Sequence, residues 1–175
     1  MILDLCGGTG AWSAPYKDAG YNVSIIDIDQ DVRLLHLPKN VRGILAAPPC
    51  THLAGSGARW WAEKGQEALL EGLSIVDACL RIVLLTQPTW WCLENPVGRL
   101  VHYLGKPKMY FQPWEYGDPY TKRTCLWGNF VEPIRTPVEP ILGSKMHLMT
   151  GGTHGSKLRS ITPPGFAQAF FESNP

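Results

Sequence analysis

The first twenty residues, MILDLCGGTGAWSAPYKDAG, run from an apolar strand through a glycine turn into a short helix ending at Gly20. A strand handed straight to the amino end of a helix constrains the chain to an α/β layer. Gly7, Gly8 and Gly10 permit positive φ and let the backbone approach a ligand closely at that helix N-terminus. No helix precedes this strand in the sequence, so a later segment is expected to cover the face such a helix would protect. Residues 163–172, with Pro at the start and an apolar stripe, form the candidate C-terminal helix, expected to return beside the glycine turn.

Between these ends the pattern alternates. YNVSIIDID reads as a second strand ending in acids, DVRLL as a short third strand, and VRGILAA as a fourth. From Trp60 to Gln87, apolar residues recur at helical spacing, giving one long helix or two abutting ones with Gly72 as the weak point. TWWCLENP is a strand followed by a turn, and KMYFQPWEYG and TCLWGNF resemble later aromatic-rich strands. Residues 131–160 are rich in Pro, Gly, Ser and Thr without periodicity and read as loop. The expected architecture is a single domain over residues 1–175, α/β, mostly parallel, with helices on both faces.

Composition narrows the function classes. With 45% apolar and 18% charged residues the chain is globular. No run approaches the roughly 18 uncharged apolar residues a membrane helix needs. The opening MILDLCGG lacks the basic start of a signal peptide, so an intracellular, cytoplasmic location is expected. The five cysteines (6, 50, 79, 92 and 125) are scattered and lack C-x-x-C spacing, which argues against a disulfide framework and against a metal site. Residues 1–98 carry 7 Lys+Arg against 10 Asp+Glu, whereas residues 99–175 carry 9 against 5. A basic second half suits a phosphate-bearing partner, and suits a solvated surface equally.

Chemistry-bearing residues collect at strand ends. Asp27 closes the second strand, where an acid can accept hydrogen bonds from both ribose hydroxyls of a nucleoside cofactor. Asp29 reads as a solvated strand-end carboxylate. Pro49 and Cys50 close the fourth strand, where open α/β sheets place their ligand crevice. A thiolate there is a strong nucleophile once nearby donors or positive charge favour it. Glu94 and Asn95 end the next strand, able to face Cys50 across the crevice or to serve only as turn residues before Pro96.

In that order these motifs resemble the DNA (cytosine-5) methyltransferase family, in particular its very small phage-type members. DLCGGTG is similar to the family's cofactor loop, IDID to its acidic ribose motif, and DVR to the motif whose Asp contacts adenine. PPCT matches the Pro-Cys nucleophile motif, ENP the Glu-Asn-Val motif, and YTKRTCLWGNF resembles the later arginine motif. The resemblance implies a Rossmann-like class I methyltransferase sheet, reduced in size, that binds S-adenosylmethionine through Asp4, Cys6, Gly7, Gly8, Thr9, Gly10, Trp12, Asp27, Ile28, Asp31, Val32 and Pro49. It implies Cys50 as nucleophile on cytosine C6, Glu94 and Asn95 beside it, and Arg123 on the base. DNA is the implied partner, with the target flipped out of the stack and Thr51, His52, Gly55 and Ser56 in a small-residue lid closing over it.

This chain departs from the family in three ways. Cys6 stands where an aromatic is usual, with Trp12 as its candidate substitute. Only three residues separate Asp27 from Asp31, so the helix between strands two and three is missing. Residues 131–160 are too few for a recognition domain, which implies short or relaxed specificity, or specificity supplied by a protein partner or oligomer. Amino-group methyltransferases want a polar residue and an aromatic around Pro-Pro where this chain has Ala47 and Cys50, and RNA cytosine-5 enzymes typically carry Thr-Cys where it has Glu94-Asn95. The remaining rival is a nucleic-acid-binding module that keeps the fold without the catalysis.

Overall fold

The computed structural model describes residues 1–144 and 160–175. β1 (Ile2–Leu5) is buried at every position because it lies inside the sheet with both faces covered. Its alternation sends Leu3 and Leu5 to one core and Ile2 to the other. Parallel partners flank it: β2 (Val23–Ile26) on one side and β3 (Gly43–Ala46) on the other, with β4 (Trp90–Pro96) beyond β3. β6 (Thr124–Asn129) then pairs antiparallel with β4, and β5 (Met109–Phe111) antiparallel with β6, giving the order β2-β1-β3-β4-β6-β5. The sheet is therefore mixed, a correction to the mostly parallel expectation.

Register decides what reaches the sheet edge. Ile26, Leu5, Ala46 and Leu93 form one continuous rung. One residue further along each strand come Asp27, Cys6, Ala47 and Glu94, all emerging at the same carboxyl edge. Since β6 runs the other way, its amino end and the preceding Lys122 and Arg123 arrive at that edge too.

One sheet face packs on α2 (Trp61–Thr86) through Val76, Cys79 and Ile82. α2 breaks at Gly65 (φ 70°, ψ −169°), not at Gly72. Gly72 stays helical and sits against Leu53, where an added methyl group would lie 3.4 Å from that side chain. The other face is covered by α1 (Ala14–Asp18) and α4 (Pro164–Ser173). There Trp12 lies against Phe170 at 5.5 Å, Tyr16 against Phe171 at 4.9 Å, and Phe166 stacks on Phe111 at 3.8 Å. Each fully buried Phe stabilises this layer by about 2–3 kcal/mol.

Local chemistry explains the other differences. DVRLL is a 3-10 turn over Val32–Leu34, not a third strand, because the Asp31 carboxylate accepts from the Arg33 amide and caps it. After β5, Pro113 and a reciprocal cap between Gln112 and Glu115 turn the chain into a 3-10 helix, Pro113–Tyr116, instead of a longer strand. Residues 131–144 are irregular but fastened: the Thr136 and Val138 amides donate to the Glu115 and Trp114 carbonyls, and the Gly143 carbonyl accepts from Thr121. The rest of the loop-rich stretch expected over 131–160, residues 145–159, lies outside the described residues. α3 (Val101–Leu104) is a single turn.

Candidate active site

A cleft of about 920 Å³ opens along the carboxyl edge of the parallel strands. At one end it is lined by the glycine turn (Cys6, Gly7, Gly8 and Thr9), by Asp4 and Trp12, and by Asp27 and Ile28. At the other end stand Pro49, Cys50 and Thr51, then Glu94, Lys122 and Arg123. The two ends are continuous across Ala47 and Pro48.

The turn follows from its residues. Cys6, Gly8 and Gly10 all take positive φ, and a methyl group on Gly10 would fall 2.5 Å from the Ile25 side chain. Beneath it Asp4 is fully buried, with Oδ2 accepting from the Ser13 hydroxyl at 2.5 Å and Oδ1 unpartnered. Burial raises the Asp4 pKa to about 6, opposed by the Ser13 hydrogen bond and helped by nearby Asp27. An orphaned carboxylate oxygen beneath a glycine turn suits a cationic ammonium, while exposed Asp27 suits hydroxyls and Ile28, 92% exposed, an apolar ring. These residues fit a nucleoside carrying a charged amino-acid arm.

Other predicted cofactor contacts fall elsewhere. Asp31 is paired with Arg33 at 2.9 Å, and Arg33 with Glu71 at 3.0 Å, away from the cleft lining. Hydrogen bonding to Arg33 holds the Asp31 carboxyl below the usual range. Val32 is buried in the α2 core, and Gly10 shapes the turn without lining the cleft. Cys6 packs against the α2-side core cluster that includes Cys79, and its side chain is too small to offer a ring platform to a base. Trp12 lines the cleft but is only 2% exposed, wedged among Phe166 and Phe170.

At the other end, half-buried Cys50 follows β3 through Ala47, Pro48 and Pro49. Its carbonyl accepts from the amides of both Leu53 and Ala54 at 2.9 Å, so the chain turns back on the backbone of Cys50 itself. Glu94 faces the cleft from the end of β4. Burial pushes its carboxyl above the usual range, partly opposed by the Lys122 ammonium. Lys122, which sequence reasoning passed over, is thus the cation acting on Glu94. Its neighbour Arg123 lines the cleft with its guanidinium 4.6 Å over the Tyr110 ring. Both lay in the arginine-like motif, and an antiparallel β6 was the missing piece that would have paired them with Glu94.

Asn95 is fully buried and does not line the cleft; its side-chain amide donates to the Pro48 carbonyl at 2.9 Å. Its side chain thus faces the backbone between β3 and Cys50 and not the cleft. The residues expected to form a loose lid are instead built in. Gly55–Trp60 is a 3-10 helix, Ala54 bridges Gly98, and the Gly55 amide donates to the Val97 carbonyl at 2.8 Å. Thr51 and Ser56 line the cleft, while His52 and Gly55 do not.

No protein-family model matches this sequence, and no curated protein matches it. Among solved structures the fold is similar to one from E. coli described as a "putative DNA modification methyltransferase encoded within prophage". The match has a TM-score of 0.54 at 17% identity, covering 79% of this chain and 52% of that one. The likeness is one of fold: an α/β sheet of the kind found in that methyltransferase. This chain spans about half of its neighbour's length. Among the described residues no helix is long and apolar enough to cross a membrane.

Proposed function

We propose that this protein is a DNA cytosine C5 methyltransferase that uses S-adenosylmethionine, a single catalytic domain with short or relaxed specificity. The observation that carries the proposal is one cleft lined at one end by the glycine turn, Asp4 and Asp27, and at the other by Cys50 and Glu94. The fold it shares with a DNA modification methyltransferase supports the same class. Residues 131–160 stand in place of a recognition domain, with a protein partner or second copy as a further source of specificity.

Asp4 would hold the cofactor's ammonium group, Asp27 its ribose and Ile28 its adenine. When bound, the cofactor supplies an electrophilic methyl group. The chain's own work is to make cytosine C5 nucleophilic. Cys50 adds as thiolate to C6, and the displaced electron pair moves toward C5 as the C5–C6 double bond is lost. Glu94, whose burial favours the protonated form, would donate to N3 and so stabilise the charge developing on the ring. Lys122 would temper that pKa, and Arg123, which lines the same end of the cleft, would hold the base. Once C5 carries the methyl group, its remaining proton leaves to a base, the C5–C6 double bond re-forms and the sulfur departs as thiolate. The base must be unstacked for Cys50 to reach C6, at a cost of a few kcal/mol in a duplex.

The test is a single-stranded and a duplex oligonucleotide containing 5-fluorocytosine, incubated with enzyme and cofactor. A covalent adduct at Cys50, absent in Cys50→Ala, is expected by intact-mass spectrometry. No adduct on any context in a library of such oligonucleotides would leave the fold as a binding module and overturn the enzymatic reading.

A further inference from the structure

Arg99 is five residues past Glu94, outside every motif the sequence singles out. Its backbone amide donates to the Leu53 carbonyl at 2.9 Å, and its Nε donates to the His52 carbonyl at 2.8 Å. One residue thus holds two consecutive carbonyls of the turn that follows Cys50. The guanidinium lies over the Trp61 ring at 4.3 Å, so α2's first residue is the shelf that keeps it flat. Among the described residues no carboxylate pairs with Arg99; its Nε is met by the His52 carbonyl, while Nη2 is buried without a partner.

The neighbours make the contact close. A methyl group on Gly98 would fall 2.1 Å from the Leu53 carbonyl oxygen, so only glycine lets the exit from β4 lie on this turn. On the other side of Cys50, Asn95 holds the Pro48 carbonyl. The turn's own Ala54, Gly55, Ser56 and Gly57 have little side chain with which to fix themselves.

We infer that Arg99 is the positioning residue for the nucleophile, setting the direction of Cys50 relative to Glu94 by clamping the turn at residues 52–53. The inference rests on the proposed role of Cys50. A planar fork that donates from Nε while stacking on an indole is not reproduced by a lysine ammonium. A nucleophile displaced by even a fraction of an ångström loses much of its rate.

The experiment compares wild type with Arg99→Lys and with Trp61→Leu, which lowers the shelf but keeps the hydrogen-bonding residue. For each, the rate of adduct formation on 5-fluorocytosine DNA at saturating concentration is read beside cofactor affinity by calorimetry and melting temperature. The expected result is a folded variant with cofactor affinity within about twofold of wild type and an adduct rate at least about tenfold lower. The double variant should be no slower than the worse single, as for two parts of one device. An unchanged adduct rate, or a rate and cofactor affinity that fall together with the folded fraction, would overturn the inference. If wild type itself forms no adduct, the fault lies with the functional reading instead.

Discussion

The side-chain amide of Asn95 reaches across from β4 to the carbonyl of Pro48, 2.9 Å away, and so ties the strand that carries Glu94 to the segment that leads from β3 to Cys50. Parallel neighbours diverge once their ladder stops, and this bond carries the pairing past the last rung at Ala46 and Leu93. Asn95→Ala should leave the Pro48 carbonyl without that donor and destabilise the fold by about 1–3 kcal/mol in chemical denaturation. The maximal rate should fall by at least as large a factor, while cofactor affinity at the far end of the cleft stays within error. An equal loss of cofactor affinity would show that the bond serves the whole sheet.

Asp27→Ala should weaken S-adenosylmethionine binding by about 1–3 kcal/mol, the loss of two charge-assisted hydrogen bonds. Asp31→Ala should leave it unchanged, because that carboxylate is engaged with Arg33. Titration calorimetry on both variants separates the two acids.

Glu94→Gln removes the acidic proton without changing the outline of the side chain, and should lower the maximal rate about 10²–10⁴-fold. Lys122→Met should move the alkaline limb of the wild-type pH–rate profile upward. The reason is that Lys122 lowers the Glu94 pKa, so its removal lets the carboxyl hold its proton to higher pH. A limb that does not move would separate Lys122 from the acid.

Stability should respond to pH through Asp4. In the folded chain this carboxyl keeps its proton to about 6, and in the unfolded chain to about 3.8. The native state therefore binds more protons between these values. Stability should fall as pH rises from about 4 to about 6, by about 3 kcal/mol in all, and level off above. The raised Glu94 contributes with the same sign. Asp4→Asn should flatten that slope in denaturant melts while weakening cofactor binding.

Phe166→Ala removes the ring stacked on Phe111 and the neighbour of Trp12 and Tyr116. A loss of about 3–5 kcal/mol is expected, with cofactor affinity falling as well because Trp12 lines the cleft.

Much of this arrangement was written locally. The glycines after Leu5, the buried run of β3 and the strand ending in Glu94-Asn95-Pro96 depend on neighbours in sequence, and their order fixes one edge of the sheet. What escaped was set by distant partners. DVRLL has strand-like composition, yet Asp31 caps its own turn at the Arg33 amide, and Glu71, 38 residues on, holds the Arg33 guanidinium. The direction of β6 depends on pairing with β4, so Lys122 could not be placed beside Glu94 from its motif alone. Arg99 is the sharpest case, since its partner His52 is 47 residues away and contributes only a carbonyl, a group every residue possesses. The break in α2 fell at Gly65, whose φ of 70° suits glycine, while Gly72 stayed helical.

Ser144 and Ser160 both line the cleft, and neither belongs to a strand of the sheet. A change at either position alters the wall of the crevice while every rung beneath it keeps its partner, so the shape of the opening and the frame that holds the chemistry can vary separately.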